Sequence, residues 1–362
     1  MSSNTLLNFG EPGPWFIARA TSNERFVFHS VAGRFVILGF YGSMKTQFGR
    51  TFNATMQAIQ PLLDDTNLCY FGVSNDPDDE SLNAVSESLP GIRYFWDFER
   101  RISTLYQACT ADGRFQEMVY VLDPMLRVVR RFDFGPDAND LDALLALLQS
   151  LPNIGPPYLA LTQAPVLVVP RVFEPGLCEV LIDYYAKHDN EDSGFMREVN
   201  GKTVGMVDYS HKRRRDCQID DEALRTACMR RIYHRLIPEI EKAFQFKANR
   251  IERYIVACYD GTEKGHFRAH RDNTTPGTAH RKFAVSLFLN SGNYEGGQLR
   301  FPEFGPALYS APVGGAVVFS CSLLHEATPV IAGTRYMFLP FLYDEASGKI
   351  REDNASSIVY QS

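Results

Sequence analysis

The chain has 362 residues, 45% of them apolar and 22% charged, an ordinary globular composition and a length that suits two domains better than one. Its formal net charge is −6 and its pI is near 5.8, so no global basic field draws nucleic acid or an anionic membrane, and neither is expected as a partner. Seven cysteines, at positions 69, 109, 178, 217, 228, 258 and 321, form no C-x-x-C pair and are odd in number, which argues against a disulfide framework or structural zinc. The opening MSSNTLLNFG lacks the cationic start and apolar stretch of a signal peptide, and no uninterrupted apolar run could span a bilayer. A cytoplasmic setting is therefore expected.

In chain order, residues 35–41 (FVILGFY) read as a buried strand, 51–63 as a helix and 68–74 as another strand. Residues 118–122 and 127–132 flank Asp123-Pro124, a turn between paired strands, and 140–151 space leucines by three and four as a helix does. This order resembles the thioredoxin fold in its peroxiredoxin-like branch. GRFVILGFYGSMKTQFG is similar to the stretch leading to the peroxidatic cysteine, and YFGVSND and VYVLDP to later strands. The resemblance implies an α/β thioredoxin-like domain over residues 1–151. It fails at the chemistry: Gly49 stands where the nucleophile belongs, Gly42 replaces the preceding proline, and Glu117 lies near the place of an activating arginine. A peroxidase needs a thiolate stabilised by a positive neighbour. The expected reading is a non-catalytic scaffold that binds a protein substrate, mediates homodimerisation or shields a second domain. The alternative is an unconventional redox role for Cys69 or Cys109.

Residues 150–165 contain four prolines and no charge, and 152–164 read as an extended linker. Residues 211–216 (HKRRRD) are the one dense basic run. They read as a solvated loop balanced by Asp216, or as a rim that attracts an acidic or carboxylate-bearing substrate. Residues 224–244 space apolar positions helically.

The sharpest signal follows. His270 and Asp272 are separated by one residue, His325 lies 53 residues after Asp272, and Arg335 ten after that. On a strand, positions i and i+2 project together, so H-x-D presents a nitrogen and an oxygen to one ion while Arg271 turns away. Two imidazoles and one carboxylate leave coordination positions open, which suits non-haem Fe(II). Between them, residues 282–290 (KFAVSLFLN), 298–301 and 316–319 read as short strands separated by glycine turns, with 335–343 as a further strand, the pattern of a jelly roll.

Residues 165–345 resemble the Fe(II)- and 2-oxoglutarate-dependent oxygenases, in the prolyl 4-hydroxylase-like branch. The words that carry the likeness are ACYDGTEKGHFRAHRDN, GGQLRF, LLHEATPVIAGTRY and the opening APVLVVPRVFEPGLCEVLIDYY. The resemblance implies a mainly-β double-stranded β-helix (jelly-roll) domain with flanking helices over residues 165–362. It implies that His270, Asp272 and His325 hold Fe(II), that Arg335 grips the distal carboxylate of 2-oxoglutarate, and that O2 is the second co-substrate with ascorbate as reductant. Tyr259 matches a tyrosine near the co-substrate. Phe288 falls where some relatives carry a co-substrate-binding tyrosine, and Ser286 shares its parity, either compensating for that hydroxyl or filling the interior. His266 and His280 match no ligand position. Residues 192–217 correspond to a loop that covers the site. The implied activity is hydroxylation of a C–H bond, with release of succinate and CO2, on a prolyl or other residue of a protein or peptide. A free amino acid or peptide-like metabolite is the alternative substrate. A non-catalytic metal-binding or oxygen-sensing module is the alternative of another class.

Overall fold

The apolar runs of the first half become strands buried on both faces. In the computed structural model, which describes residues 7–110, 112–134 and 140–359, the chain divides into two compact units, Met1–Tyr158 and Leu159–Ser362. The boundary falls inside the uncharged, proline-bearing stretch read as a linker.

The first unit is built on a seven-stranded sheet in the order Asn23–Val27, Ile17–Ala20, Ile92–Trp96, Leu68–Ser74, Phe35–Gly42, Met118–Leu122, Val128–Asp133. The three strands Ile92–Trp96, Leu68–Ser74 and Phe35–Gly42 run parallel, and the rest pair antiparallel. Successive side chains go to opposite cores: Val36, Leu38 and Phe40 to one, Ile37 and Tyr41 to the other. A sheet covered on both sides needs such unbroken apolar strands. The helix expected at 51–63 starts earlier, at Gln47–Ala58, because Thr46 caps it by accepting a bond from the Gly49 N–H at 2.9 Å.

Gly49 is helical, and a Cβ there would lie 2.1 Å from the Ser43 carbonyl oxygen. At Gly42, φ is +76° and a Cβ would lie 2.6 Å from the Phe115 ring. Neither position accommodates a larger residue without moving its neighbours. Glu117, raised by burial and eased by a hydrogen bond with Thr46, puts an acid rather than a cation beside this turn. All seven cysteines are free and buried. Burial pushes the Cys69 thiol up to about 12, which keeps it an unreactive thiol.

The second unit is strand-rich, with no sheet closing into a barrel among the described residues. Its main sheet has ten strands, with the path Arg250–Glu252, Phe341–Tyr343, Phe283–Phe288, Val330–Phe338, Ile255–Asp260, Arg215–Gln218, Glu191–Asp192. Ala316–Ser320 pairs with Phe283–Phe288 and carries Leu167–Val169 on its other side. A five-stranded sheet runs Lys212–Arg213, His266–His270, His325–Ala327, Leu299–Arg300, Leu308–Tyr309. Period-2 alternation decides what each face buries. Val256, Cys258, Val285 and Leu287 join the core formed with Cys178, Leu181, Cys228, Ile232 and Ile240 of the helical segments Pro175–Lys187, Glu222–Arg231, Ile232–Leu236 and Ile237–Phe244. Ile255, Ala257, Tyr259 and Phe288 join Leu299, Phe319 and Ala327 in the core shared with the smaller sheet.

Two expected elements are broken, each beside a proline. The helix at 224–244 contains a π-turn, Ile232–Leu236, just before Pro238, whose missing N–H removes a ladder bond. The strand at 335–343 is instead Val330–Phe338 and Phe341–Tyr343, separated by Leu339-Pro340. The segment 192–217 is not a simple loop. It holds the hairpin Phe195–Val199/Lys202–Met206 and the short strands Lys212–Arg213 and Arg215–Gln218.

Candidate metal centre and cation-lined cavity

His270 is the last residue of its strand, and His325 the first of the neighbouring one; the two are direct cross-strand partners. Register therefore sets the imidazoles side by side, with ring centroids 4.3 Å apart. Asp272 lies two residues past the strand end rather than inside it, held by its N–H donating to the Cys321 carbonyl at 2.9 Å. The carboxylate still turns inward: Oδ1 is 3.5 Å from His270 Nε2 and Oδ2 is 3.3 Å from His325 Nε2. Donor atoms of the three residues all lie within 4.8 Å of one another.

The orientation of each ring is set from behind. His270 Nδ1 donates to the Arg268 carbonyl at 2.7 Å and His325 Nδ1 to the Leu323 carbonyl at 3.0 Å. A carbonyl only accepts, so each Nδ1 carries a proton and each Nε2 is the atom turned towards Asp272. Phe267 stacks on His270 at 3.5 Å between centroids, and Phe319 lies 4.5 Å from His325. Burial pushes His325 down to about 4, against the pull of Asp272. Burial also opposes ionisation of Asp272, but His325 and His270 outweigh it and hold the carboxyl well below the usual range. The three side chains thus set two imidazole nitrogens and one carboxylate on one side of a space, a donor set that fits a divalent first-row cation.

Arg335 faces Tyr259 across the main sheet. It is 1% exposed, and its Nε and Nη2 have no hydrogen-bond partner among the described residues. Its guanidinium lies 4.9 Å from the Tyr259 ring and 5.3 Å from the Phe288 ring. Gly297, with φ +70°, leaves room for it: a Cβ there would lie 2.8 Å from Arg335 Cδ. A buried cation with free, forked donors is costly alone, and it fits a planar carboxylate. Ser286 is buried and lines the same cavity; Phe288 is fully buried on the same face of its strand and offers no hydroxyl.

The cavity measures about 140 Å³ and contains His270, Asp272, His325, Tyr259, Ser286 and Arg335 in its wall. The basic run is not the solvated loop expected. Strand alternation divides it: Lys212 and Arg214 point into the cavity, whereas Arg213 pairs with Glu263 and Arg215 with Asn190 on the other side. Arg214 grips Asp216 through two bonds of 2.7 and 2.6 Å. Burial works against the Asp216 carboxylate, but Arg214 and Lys212 outweigh it and lower the group to about 2.

Two features escaped the sequence reading. Arg253 lines the cavity, donates to the Leu339 carbonyl at 3.1 and 3.2 Å, and lies 4.6 Å from the Phe341 ring. Burial, with Arg214 adding repulsion, lowers it to about 10. Glu252 accepts from His280 at 2.6 Å and from Arg281 at 2.7 and 3.1 Å, and Arg281 Nη1 in turn donates to the Asp272 carbonyl at 3.4 Å. His280 is thus a buried support joined to Asp272 through Glu252 and Arg281. His266, by contrast, bonds only to backbone carbonyls at the surface.

Residues 254–343 match the model of the 2OG-Fe(II) oxygenase superfamily, so this stretch carries an oxygenase domain of that type. A PKHD-type hydroxylase of Bordetella pertussis is 32% identical over 111 residues, covering 28% of this chain and 46% of the relative. The chain thus spans about half the length of the curated relatives it matches. Among solved structures, a Trichoplax adhaerens prolyl hydroxylase in complex with a hypoxia inducible factor oxygen degradation domain peptide fragment is similar over 52% of this chain and 86% of its own, at 17% identity and TM-score 0.38. AhpC of Mycobacterium tuberculosis is similar over 40% of this chain and 93% of its own, at 17% identity and TM-score 0.34.

Proposed function

We propose that the protein is an Fe(II)- and 2-oxoglutarate-dependent dioxygenase that hydroxylates a C–H bond of an organic substrate. One observation carries the reading: His270, Asp272 and His325 converge within 4.8 Å in the wall of a cavity that also holds the unpaired guanidinium of Arg335. In this reading His270, Asp272 and His325 hold the iron, and Arg335 takes the distal carboxylate of 2-oxoglutarate. Tyr259 packs against that guanidinium, and the Ser286 hydroxyl lies in the same wall as the apolar Ala284, Phe319 and Leu299. When bound, iron with 2-oxoglutarate and O2 supplies oxidative decarboxylation to succinate and CO2, coupled to oxygen insertion into the substrate. The protein's part is to fix both Nε2 lone pairs through Nδ1, to keep Asp272 ionised, and to exclude water with Phe267, Phe319 and Phe288. Asp272 fills a position that a halide would otherwise take, which favours hydroxylation. Ascorbate is the reductant proposed to keep iron ferrous.

For the second unit we propose a double-stranded β-helix, with residues 165–362 as the oxygenase domain and 152–164 as the linker. For residues 1–151 we propose a thioredoxin-like, peroxiredoxin-derived scaffold without peroxidase activity, since Gly49 and Glu117 supply neither thiolate nor cation. A non-catalytic metal module would bind iron without turnover. The test is succinate release and mass-spectrometric oxygen gain with iron, ascorbate and 2-oxoglutarate. Wild type is expected to release succinate, and His270→Ala and Asp272→Ala to fall to background. Equal release by all three proteins refutes the assignment.

A further inference from the structure

The cavity wall is unusually rich in positive charge. Lys212, Arg214, Arg253, Arg271, Arg281 and Arg335 all line it, and Asp272 is the one carboxylate among the described lining residues. Three of the cations have acidic partners: Arg214 has Asp216, Arg281 has Glu252 and Arg271 has Glu303. Arg335 is committed to 2-oxoglutarate in the reading above. With ferrous iron, the dianionic co-substrate, Asp272 and Arg335 together, the charges of the catalytic assembly cancel. Lys212 and Arg253 remain.

Neither has a carboxylate within 4.0 Å among the described residues. Lys212 is 4% exposed and donates to Ser193 Oγ at 2.7 Å and to the Gly194 carbonyl at 2.5 Å. Its Nζ lies 4.8 Å from the Phe267 ring, which stacks on His270. Arg253 approaches from the Asp272 side: it shares the Phe341 ring with Arg281, which reaches the Asp272 carbonyl. Burial is the main cause that lowers Lys212; Arg214 and then Arg253 add repulsion, and Asp216 opposes them. Asp216 offsets part of this repulsion from a distance but is bonded to Arg214, so two buried basic side chains are left without a bonded carboxylate, an expensive arrangement that is relieved when an anion enters.

We propose that Lys212 and Arg253 bind a carboxylate of the primary substrate, so that the molecule hydroxylated is a small carboxylic acid: a free amino acid or the C-terminal residue of a short peptide. This rests on the oxygenase reading of the site and narrows its substrate class. The 140 Å³ cavity is on the scale of a benzene-sized group, so 2-oxoglutarate alone takes up most of it, and what meets Lys212 and Arg253 is a small group rather than a folded segment. The hairpin residues Gly194, Phe195 and Met196 line the same space, which places the Lys212 contact at its cover.

The test uses the full chain with Mn(II) and 2-oxoglutarate under nitrogen. Free L-amino acids, their carboxamides, and tripeptides with free or amidated C-termini are screened by thermal shift and then titrated by calorimetry. At least one free acid is expected to bind while its amide does not; whether that acid is an amino acid or a tripeptide identifies the source of the carboxylate. Arg253→Gln and Lys212→Met are each expected to weaken that binding by roughly thirtyfold or more. Arg253→Lys should restore part of it, and 2-oxoglutarate affinity should be retained in all three. Binding of acid and amide alike, no binding by any acid, or unchanged affinity in both variants overturns the proposal. Failure of the oxygenase reading shows separately, as absent succinate release in wild type, because the acid titration reports on Lys212 and Arg253 without turnover.

Discussion

Replacing Arg335 is the most discriminating perturbation of the site. The guanidinium is almost fully enclosed, with two donors unsatisfied and aromatic faces at 4.9 and 5.3 Å. A carboxylate that meets those donors forms charge-assisted bonds away from water, and removing one partner of such a pair costs about 2–5 kcal/mol. Arg335→Met should therefore weaken 2-oxoglutarate by roughly thirtyfold to a few thousandfold. Arg335→Lys should recover little, because an ammonium cannot offer two parallel donors. Metal affinity should be nearly unchanged, since no donor of the His270–Asp272–His325 set bonds to Arg335. A further consequence separates ligand binding from structural support. In the ligand-free protein the buried charge is unpaired, so Arg335→Met is expected not to lower Tm. The assay is anaerobic calorimetry of 2-oxoglutarate against Mn(II)-loaded protein, with a parallel metal titration and melting curves. A wild-type Kd for 2-oxoglutarate in Arg335→Met would refute the anchor assignment, and a large loss of Tm with unchanged Kd would make Arg335 structural.

Other outcomes follow from the same contacts. Glu252→Gln leaves Arg281 and His280 without their buried acid and should cost about 3–5 kcal/mol in chemical denaturation; a change below about 1 kcal/mol would show the network to be dispensable. Asp216 titrates at about 2 in the folded chain against an ordinary 3.8, so it stabilises fully above the ordinary value and that stability is lost as pH falls through the folded one. The contribution is about 2 kcal/mol, and stability curves of Asp216→Asn should lack that part of the acid limb between these values. Gly49→Ala would stabilise an ordinary helix, yet here the added Cβ meets the Ser43 carbonyl, so a loss of about 1–3 kcal/mol is expected. An unchanged or raised Tm would show that this turn relaxes freely.

Some of this was legible in the chain and some was not, for identifiable reasons. The convergence of His270, Asp272 and His325 could be read because cross-strand pairing and local spacing act over few residues, even though Asp272 lies past the strand end. Arg335 could be read from its distance to His325. Of the two readings of 211–216, the solvated loop fails because composition alone does not show that two short strands pass through the run, and period-2 alternation then sends Lys212 and Arg214 inward. Arg253 was missed although a signal existed: counting back by twos from Tyr259 passes through inward-facing Ala257 and Ile255 and arrives at Arg253. The Glu252–His280–Arg281 network joins residues nearly thirty positions apart, and no local pattern announces such a pairing. Pro238 and Pro340 were visible in the sequence, and the breaks beside them follow from the donor each proline lacks.

The inward placement of Lys212, Arg214, Arg253 and Arg335 has a bearing on how the molecule behaves in salt. A chain whose exterior is acidic on balance keeps a concentrated positive interior, so the bulk isoelectric point describes the wrong surface. Mobile ions screen what they can surround, and enclosed groups are largely beyond them. Capture of an anion at depth should accordingly persist at ionic strengths that abolish long-range attraction, while its rate of arrival, governed by the negative exterior, should rise as salt is added.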